Sequence, residues 1–273
     1  MPEGPPIIIT VAPNGARKTR ADHPALPITP AELAEEAQRS LAAGAAMIHL
    51  HVRDEHGKHS LDVARYRDAI AAIRERVGKQ LIIQVTSEAV GVYSADQQME
   101  MVRELRPEAV SLAIRELCPQ GAEQRAADFF SWLASECIAP QYILYSVEDV
   151  VRFEVLRDSG VVPGECPSVL YVLGRYGDGE DASVAQLRPM LAASRQPVIW
   201  SVCAFGAAEA ACMELAAKLG GHCRVGFENN LLLASGETAP DNSALVAQLV
   251  ASVASQGRPI ASPVQARELM GLA

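Results

Sequence analysis

The chain has 273 residues, of which 49% are apolar and 21% charged. That is long enough to bury a sizeable core and too apolar for a disordered chain. Lys and Arg number 24 against 33 Asp and Glu, a formal charge of −9, which argues against a nucleic-acid backbone as partner because that needs a basic face. A local basic pocket for an acidic small molecule stays open. Aromatic residues, at 5%, are too few for base-stacking platforms. No apolar run approaches the roughly 20 residues of a membrane-spanning helix. The opening M-P-E-G-P-P-I-I-I-T-V has no basic region ahead of its short apolar run, so no secretory leader is expected. The six cysteines (Cys118, Cys137, Cys166, Cys203, Cys212, Cys223) form no C-x-x-C pair and read as reduced, buried thiols of a cytoplasmic protein.

Eight short β-branched runs follow one another along the chain: Ile7–Ala12, Met47–Val52, Leu81–Thr86, Ala109–Ile114, Tyr142–Ser146, Val169–Gly174, Pro197–Val202 and Cys223–Phe227. Helix-like segments separate and follow them: Pro30–Ala43, Asp62–Val77, Ser94–Leu105, Glu123–Glu136, Val147–Ser159, Ser183–Ala193, Ala207–Leu219 and Ser243–Ser255. A ninth, Pro263–Met270, closes the chain. Thr29-Pro30-Ala31-Glu32 and Ser262-Pro263 are helix starts, and Gly44, Gly78, Gly160 and Gly220 fall where helices should stop. Strands alternating with helices predict a parallel sheet, and eight units favour a (β/α)8 TIM barrel with an extra C-terminal helix over an open doubly wound sheet. Without a linker or a shift of composition, residues 1–273 read as a single barrel domain.

Barrel chemistry sits at the C-terminal ends of the strands. The second run ends His49-Leu50-His51-Val52-Arg53-Asp54. Side chains two apart on a strand share a face, so both imidazoles can chelate one metal; two polar layers of a barrel interior are the plainer reading. In the eighth run Arg224 and Glu228 share a parity, and strands two and eight both flank strand one, so Glu228 can approach the pair. Two His and one Glu with an open position suit zinc or non-haem iron(II); a loop carboxylate at the surface is the alternative for Glu228. Asn14 and Arg17 after strand one, and Thr86, Ser87 and Glu88 at the end of strand three, are further polar candidates. Asp54 reads as a partner for an imidazole N–H or as a turn residue, and His56 and His59 as solvated loop histidines. The glycine-rich Gly174–Gly179 stretch is a weak candidate for approaching a phosphate.

These residues carry a resemblance to the β-keto acid cleavage enzyme family. It runs nearly end to end, through Ile9–Ala16, His23–Pro27, Ile48–Asp54 (I-H-L-H-V-R-D), Ile82–Val85, Val172–Gly174, Trp200–Val202 and Gly220–Asn230 (G-G-H-C-R-V-G-F-E-N-N). The resemblance implies a (β/α)8 barrel, usually a homotetramer, with Zn2+ on His49, His51 and Glu228. It implies a retro-Claisen exchange in which a β-keto acid and acetyl-CoA give acetoacetate and a new acyl-CoA. Zinc as a Lewis acid suits the enolate released on cleavage.

Three departures from the family pattern bear on chemistry. The position after the zinc Glu, a carboxylate base paired with the Arg four before that Glu, is here Asn229 beside a retained Arg224. An amide cannot take up a proton at neutral pH, so Glu88 is the candidate substitute base. Arg17 replaces a substrate-facing Glu, and Ile143 falls where the family pattern has an amine-binding Glu. Catalytic roles thus fall to Arg224, Glu88 and Asn229, and substrate contacts to Arg17, Asn14, Thr86 and Ser87. The far end of the substrate is expected to be neutral or anionic, not an amine. A CoA-independent metal-dependent lyase or aldolase, and a non-catalytic homologue that kept the metal, are the alternatives.

Overall fold

The computed structural model describes residues 4–174 and 181–272. In chain order the elements are β1 (Ile9–Val11), α1 (Pro30–Ala43), β2 (Met47–Leu50), β3 (Val52–Arg53), β4 (His59–Ser60), α2 (Val63–Val77), β5 (Ile82–Thr86), α3 (Ala95–Leu105) and β6 (Ala109–Ala113). Then come α4 (Ile114–Leu117), α5 (Glu123–Ser135), β7 (Ala139–Leu144), α6 (Val147–Asp158), β8 (Ser168–Leu173) and α7 (Val184–Ala193). The chain continues through β9 (Ile199–Ala204), α8 (Glu209–Lys218), β10 (His222–Val225), α9 (Asn242–Ser255) and α10 (Pro263–Met270). Eight of the strands close a parallel barrel in the order β1-β10-β9-β8-β7-β6-β5-β2, and β3 pairs with β4 as a separate hairpin.

Local chemistry explains the boundaries. Thr29 and Ser262 each form a capping box, with Pro at the start of the helix they open. Strand β7 begins three residues before the expected Tyr142. Its Pro140 lies ahead of the first β8 pairing, Gln141 with Ser168, so the missing N–H leaves no ladder partner on that side. Ile114, expected at the end of a strand, instead opens the short helix α4. Four of the cysteines are buried as expected, but Cys137 and Cys166 are exposed; all six are free thiols.

The barrel interior is layered. At the N-terminal end Ile8, Met47, Ile82 and Ala109 form an apolar cluster with Ala261 and Ala266, so α10 stoppers that end. Above it lies a polar layer. Gln84 donates Nε2–H to Gln141 Oε1 at 3.3 Å. Gln141 in turn donates to Ser168 Oγ at 3.2 Å and Ser201 Oγ at 3.4 Å. The open end is the C-terminal one. Among the described residues no helix is long and apolar enough to cross a membrane.

Candidate metal centre and active site

His49 projects inward from β2, which ends at Leu50, so His51 lies just past the strand rather than on it. The two rings nevertheless converge, with Nε2 atoms 3.1 Å apart. Glu228 reaches them by a turn, not by strand parity: β10 stops at Val225, and the N–H groups of Asn229 and Asn230 donate to the Gly226 carbonyl at 2.8 and 3.0 Å. That turn brings Glu228 Oε2 to 3.5 Å from His49 Nε2 and 3.3 Å from His51 Nε2. Oε1 accepts from Arg224 Nη2 at 2.9 Å.

The hydrogen-bond network assigns the tautomers of both imidazoles. His49 Nδ1 lies 2.8 Å from Gln84 Oε1. Gln84 already spends its NH2 on Gln141, so this oxygen is an acceptor and His49 carries its proton on Nδ1. His59 Nε2 sits 2.9 Å from the Glu88 carbonyl, which can only accept. His59 Nδ1 therefore offers a lone pair to His51 Nδ1 at 3.4 Å, and His51 too is protonated there. Both Nε2 lone pairs then point at one another and at a carboxylate oxygen. Three acceptors facing one spot repel unless a cation lies between them.

The spacing suits such a cation. Nitrogen and oxygen ligands at about 2.0–2.1 Å in a tetrahedron lie about 3.3–3.4 Å apart, against 3.1, 3.3 and 3.5 Å here. His49, His51 and Glu228 are the one such group of metal-competent side chains among the described residues. Burial pushes His49 down to about 3, with Arg224 and His51 acting in the same sense, so its imidazole is neutral and free to ligate. Burial works against ionisation of Glu228, but Arg224, His49 and His51 together outweigh it and the carboxyl lies well below its usual range.

The loops are stitched tightly around this cluster. Glu228 N–H donates to the Ala12 carbonyl at 3.0 Å, and Lys18 Nζ donates to the Glu228 carbonyl at 2.8 Å. Phe227 N–H donates to Asn242 Oδ1, and Asn242 Nδ2 to the Pro13 carbonyl. Arg53 gathers the carbonyls of Asn14, Gly15, Lys18 and Gly57, holding the loop after β1 against the β3–β4 hairpin. Gly15, at φ +59°, lies so close that an added Cβ would meet Glu228 Cγ at 2.5 Å.

One cavity opens over the cluster. Arg17, His49, His51, Thr86, Glu88, Arg224 and Glu228 all line it. Glu88 is 28% exposed and 4.0 Å from Arg17. Asn14, Ser87 and Asn229 are buried and not among the lining residues. Asn14 donates to the His51 carbonyl at 3.2 Å, so it steadies the His51 backbone from behind. Ser87 Oγ donates to the Ser111 carbonyl. Both side-chain polar atoms of Asn229 are buried without a hydrogen-bond partner.

Other expectations are corrected or completed here. Asp54 is a turn residue, accepting from the N–H groups of His56 and Lys58. His56 is exposed as expected, but His59 is not a solvated loop histidine: it is buried on β4 against His51. Its signal was the D-E-H-G-K turn between Arg53 and His59, which folds a hairpin with Gly57 at positive φ. Gln84, within the I-I-Q-V run, was a polar residue in an apolar strand. Residues 175–180 of the glycine-rich stretch lie outside the described residues. Glu209, unmarked in the sequence reading, is buried at the start of α8, where desolvation pushes its carboxyl up to about 8.

A closed parallel barrel with a two-His, one-carboxylate cluster and a buried arginine in its C-terminal mouth is of the class whose donor set could hold a divalent metal there. Comparison with known proteins narrows the class. The chain belongs to the beta-keto acid cleavage enzyme family, whose profile matches residues 6–272. It is 30% identical over 274 residues to the 3-oxoadipate:acetyl-CoA acetyltransferase of Cupriavidus necator, covering 98% of this chain and 95% of that protein. It is 32% identical over 276 residues to the 3-keto-5-aminohexanoate cleavage enzyme of Fusobacterium nucleatum subsp. nucleatum, covering 97% and 98%. In fold it is similar to ObcA in its apo structure, with a TM-score of 0.73 and 20% identity, over 91% of this chain and 66% of that one.

Proposed function

We propose that this protein exchanges the acyl group of a β-keto acid with acetyl-CoA, giving acetoacetate and a new acyl-CoA. The observation that carries the reading is the convergence of three acceptor atoms, from His49, His51 and Glu228, at the floor of a cavity that Arg17 and Arg224 also line. The family and the reactions named for its relatives support the same reaction class.

Those three side chains would hold the metal, which we take to be zinc from the His2Glu donor set and near-tetrahedral spacing. When bound, it supplies Lewis acidity toward the oxygens of a β-keto acid. Arg224 stays charged beside the cluster and offers positive charge where the enolate oxygen develops. Glu88 and Glu116 are the cavity carboxylates outside the cluster among the described residues; Glu116 accepts from the Ala89 N–H, and we assign to Glu88 the proton movement that the amide of Asn229 cannot perform. Thr86 accepts from the Glu88 N–H at 3.0 Å and fixes the backbone that presents it. Arg17, at the rim and half exposed, faces incoming anions, and the far end of the substrate is not an amine.

We further propose that residues 1–273 act as one barrel domain within a cytoplasmic homotetramer. A second reading has one observation in its favour. With Asn229 at the family's base position, the chain can be a homologue that binds metal and ligand without turnover. The deciding experiment incubates metal-loaded protein with β-keto acids, with and without acetyl-CoA, and follows acetoacetate and acyl-CoA. Products of both kinds only when acetyl-CoA is present support the exchange. Cleavage that is indifferent to acetyl-CoA supports a CoA-independent lyase, and ligand binding without any cleavage supports the non-catalytic homologue.

A further inference from the structure

The cavity wall divides into two arcs. Charged and ligating side chains come from β2, β5 and β10, from the loops after β1 and β5, and from α4, which follows β6. The other arc consists of Ile143 on β7, Tyr145 just after it, Leu170 and Val172 on β8, and Phe205 directly after β9; Tyr145 carries the one polar side chain of this arc among the described residues. These strands are consecutive neighbours in the barrel. Around the eight-stranded ring β7, β8 and β9 stand opposite β1, β2 and β5, so the apolar arc faces the histidines across the mouth.

This arc is a distinct apolar patch. Leu170, Val172 and Cys203 form a small buried cluster of their own, and Ile143, Tyr145 and Phe205 pack on it while remaining partly exposed to the cavity. Among the described residues no charged side chain from β7, β8 or β9 lines the cavity. The cavity's charges each have a counter-charge or polar partner: Arg224 has Glu228 at 2.9 Å, Arg17 has Glu88 at 4.0 Å, and Glu116 accepts from the Ala89 N–H at 3.1 Å.

Resting on the reaction proposed above, we infer that the substrate's far end is a compact, uncharged alkyl chain laid against Ile143, Leu170, Val172 and Phe205. A ligand whose keto and carboxylate oxygens sit at the His–His–Glu cluster has its tail directed across the mouth onto this arc. A carboxylate or ammonium laid on Ile143, Leu170, Val172 and Phe205 would be desolvated with no hydrogen bond from those four side chains. An alkyl chain instead gains about fourfold in binding per methylene buried.

The test compares three six-carbon substrates that differ only at the far end: 3-oxohexanoate, 3-oxoadipate and 6-amino-3-oxohexanoate, each with acetyl-CoA and metal-loaded protein. The expected result is that 3-oxohexanoate leads in kcat/KM by more than about tenfold. Equal or faster turnover of either charged substrate overturns the inference and leaves the exchange reaction standing. If none is turned over, the reaction reading fails, and binding decides the inference separately. The corresponding 3-hydroxy acids keep the chelating oxygens but cannot undergo the cleavage. Tighter calorimetric binding of 3-hydroxyhexanoate than of its charged counterparts supports the alkyl site; equal binding, or none, overturns it. In Ile143→Glu, with metal content confirmed, the ratio of amine to alkyl turnover should rise at least about tenfold, and Ile143→Gln should lower alkyl turnover without that rise. An unchanged ratio in Ile143→Glu excludes this wall from the tail site.

Discussion

The hydrogen bond from His49 Nδ1 to Gln84 makes a sharp prediction, because Gln84 touches the metal site only through that imidazole. In Gln84→Leu the acceptor 2.8 Å from Nδ1 disappears. His49 is 1% exposed, so its N–H is left buried and unpaired, at a cost of about 1–3 kcal/mol. The ring can relieve that cost by moving its proton to Nε2, which removes the lone pair the metal requires. Loss of such an orienting partner weakens metal binding about 10–100-fold, or about 1.4–2.7 kcal/mol. Gln84→Glu keeps an acceptor at the same place, while the Gln141 amide can rotate to donate to it, so this variant should bind metal within a few-fold of wild type. The assay is competition for Zn2+ against a chelating dye, with a thermal melt of each apoprotein to separate site loss from unfolding. A folded Gln84→Leu that holds zinc as tightly as wild type would refute the tautomer argument.

Three further predictions probe the surroundings. Gly15→Ala places a Cβ against Glu228 Cγ at a left-handed φ; it should lose about 1–2 kcal/mol of stability and weaken metal binding, read by urea melts and metal titration. Glu88→Gln should keep its metal and lower turnover about 10²–10⁴-fold; unchanged turnover removes Glu88 as the base. For Glu209, the folded carboxyl near 8 exceeds the usual 4.5, so between those values the folded state holds a proton that the unfolded state has released. Stability should therefore fall as pH rises through that window, by up to roughly 1.4 kcal/mol per pH unit from this group. Glu209→Gln should remove that part of the slope, and parallel urea melts of wild type and variant at about pH 5 and about pH 8.5 would show it.

Much of the fold was legible because the units repeat a β-branched run followed by a helical segment, several of the helices opening on a Thr, Ser or Asp cap. The His49–His51 pair was legible for the same reason, since period-two spacing survives even though His51 has left the strand. Glu228 was reached by an argument from parity, but the structure reaches it by the Gly226–Asn230 turn, and only the barrel closure beside β1 made both lead to the same place. Gln84 and His59 were not legible as site residues. Their roles depend on which side chain lies across a strand pair or a hairpin, and a linear pattern does not carry that register. Asn14, Ser87 and Asn229 show the converse. They fall at strand ends where chemistry is expected, yet their side chains turn away from the cavity toward backbone carbonyls or into the packed interior. The apolar arc was visible only as a single departure at Ile143, because Leu170, Val172 and Phe205 become its neighbours only when β7, β8 and β9 lie side by side.

The central claim is that His49, His51 and Glu228 bind a metal on which acyl exchange depends. The most direct measurement is metal content of purified wild type, His49→Ala and His51→Ala, with acetyl-CoA-dependent acetoacetate formation assayed on the same samples. About one zinc per chain in wild type, with metal and activity lost together in both variants while the fold persists, is the predicted result. Full metal content and activity in either alanine variant, or a reconstituted wild type that takes up no metal, would contradict the account.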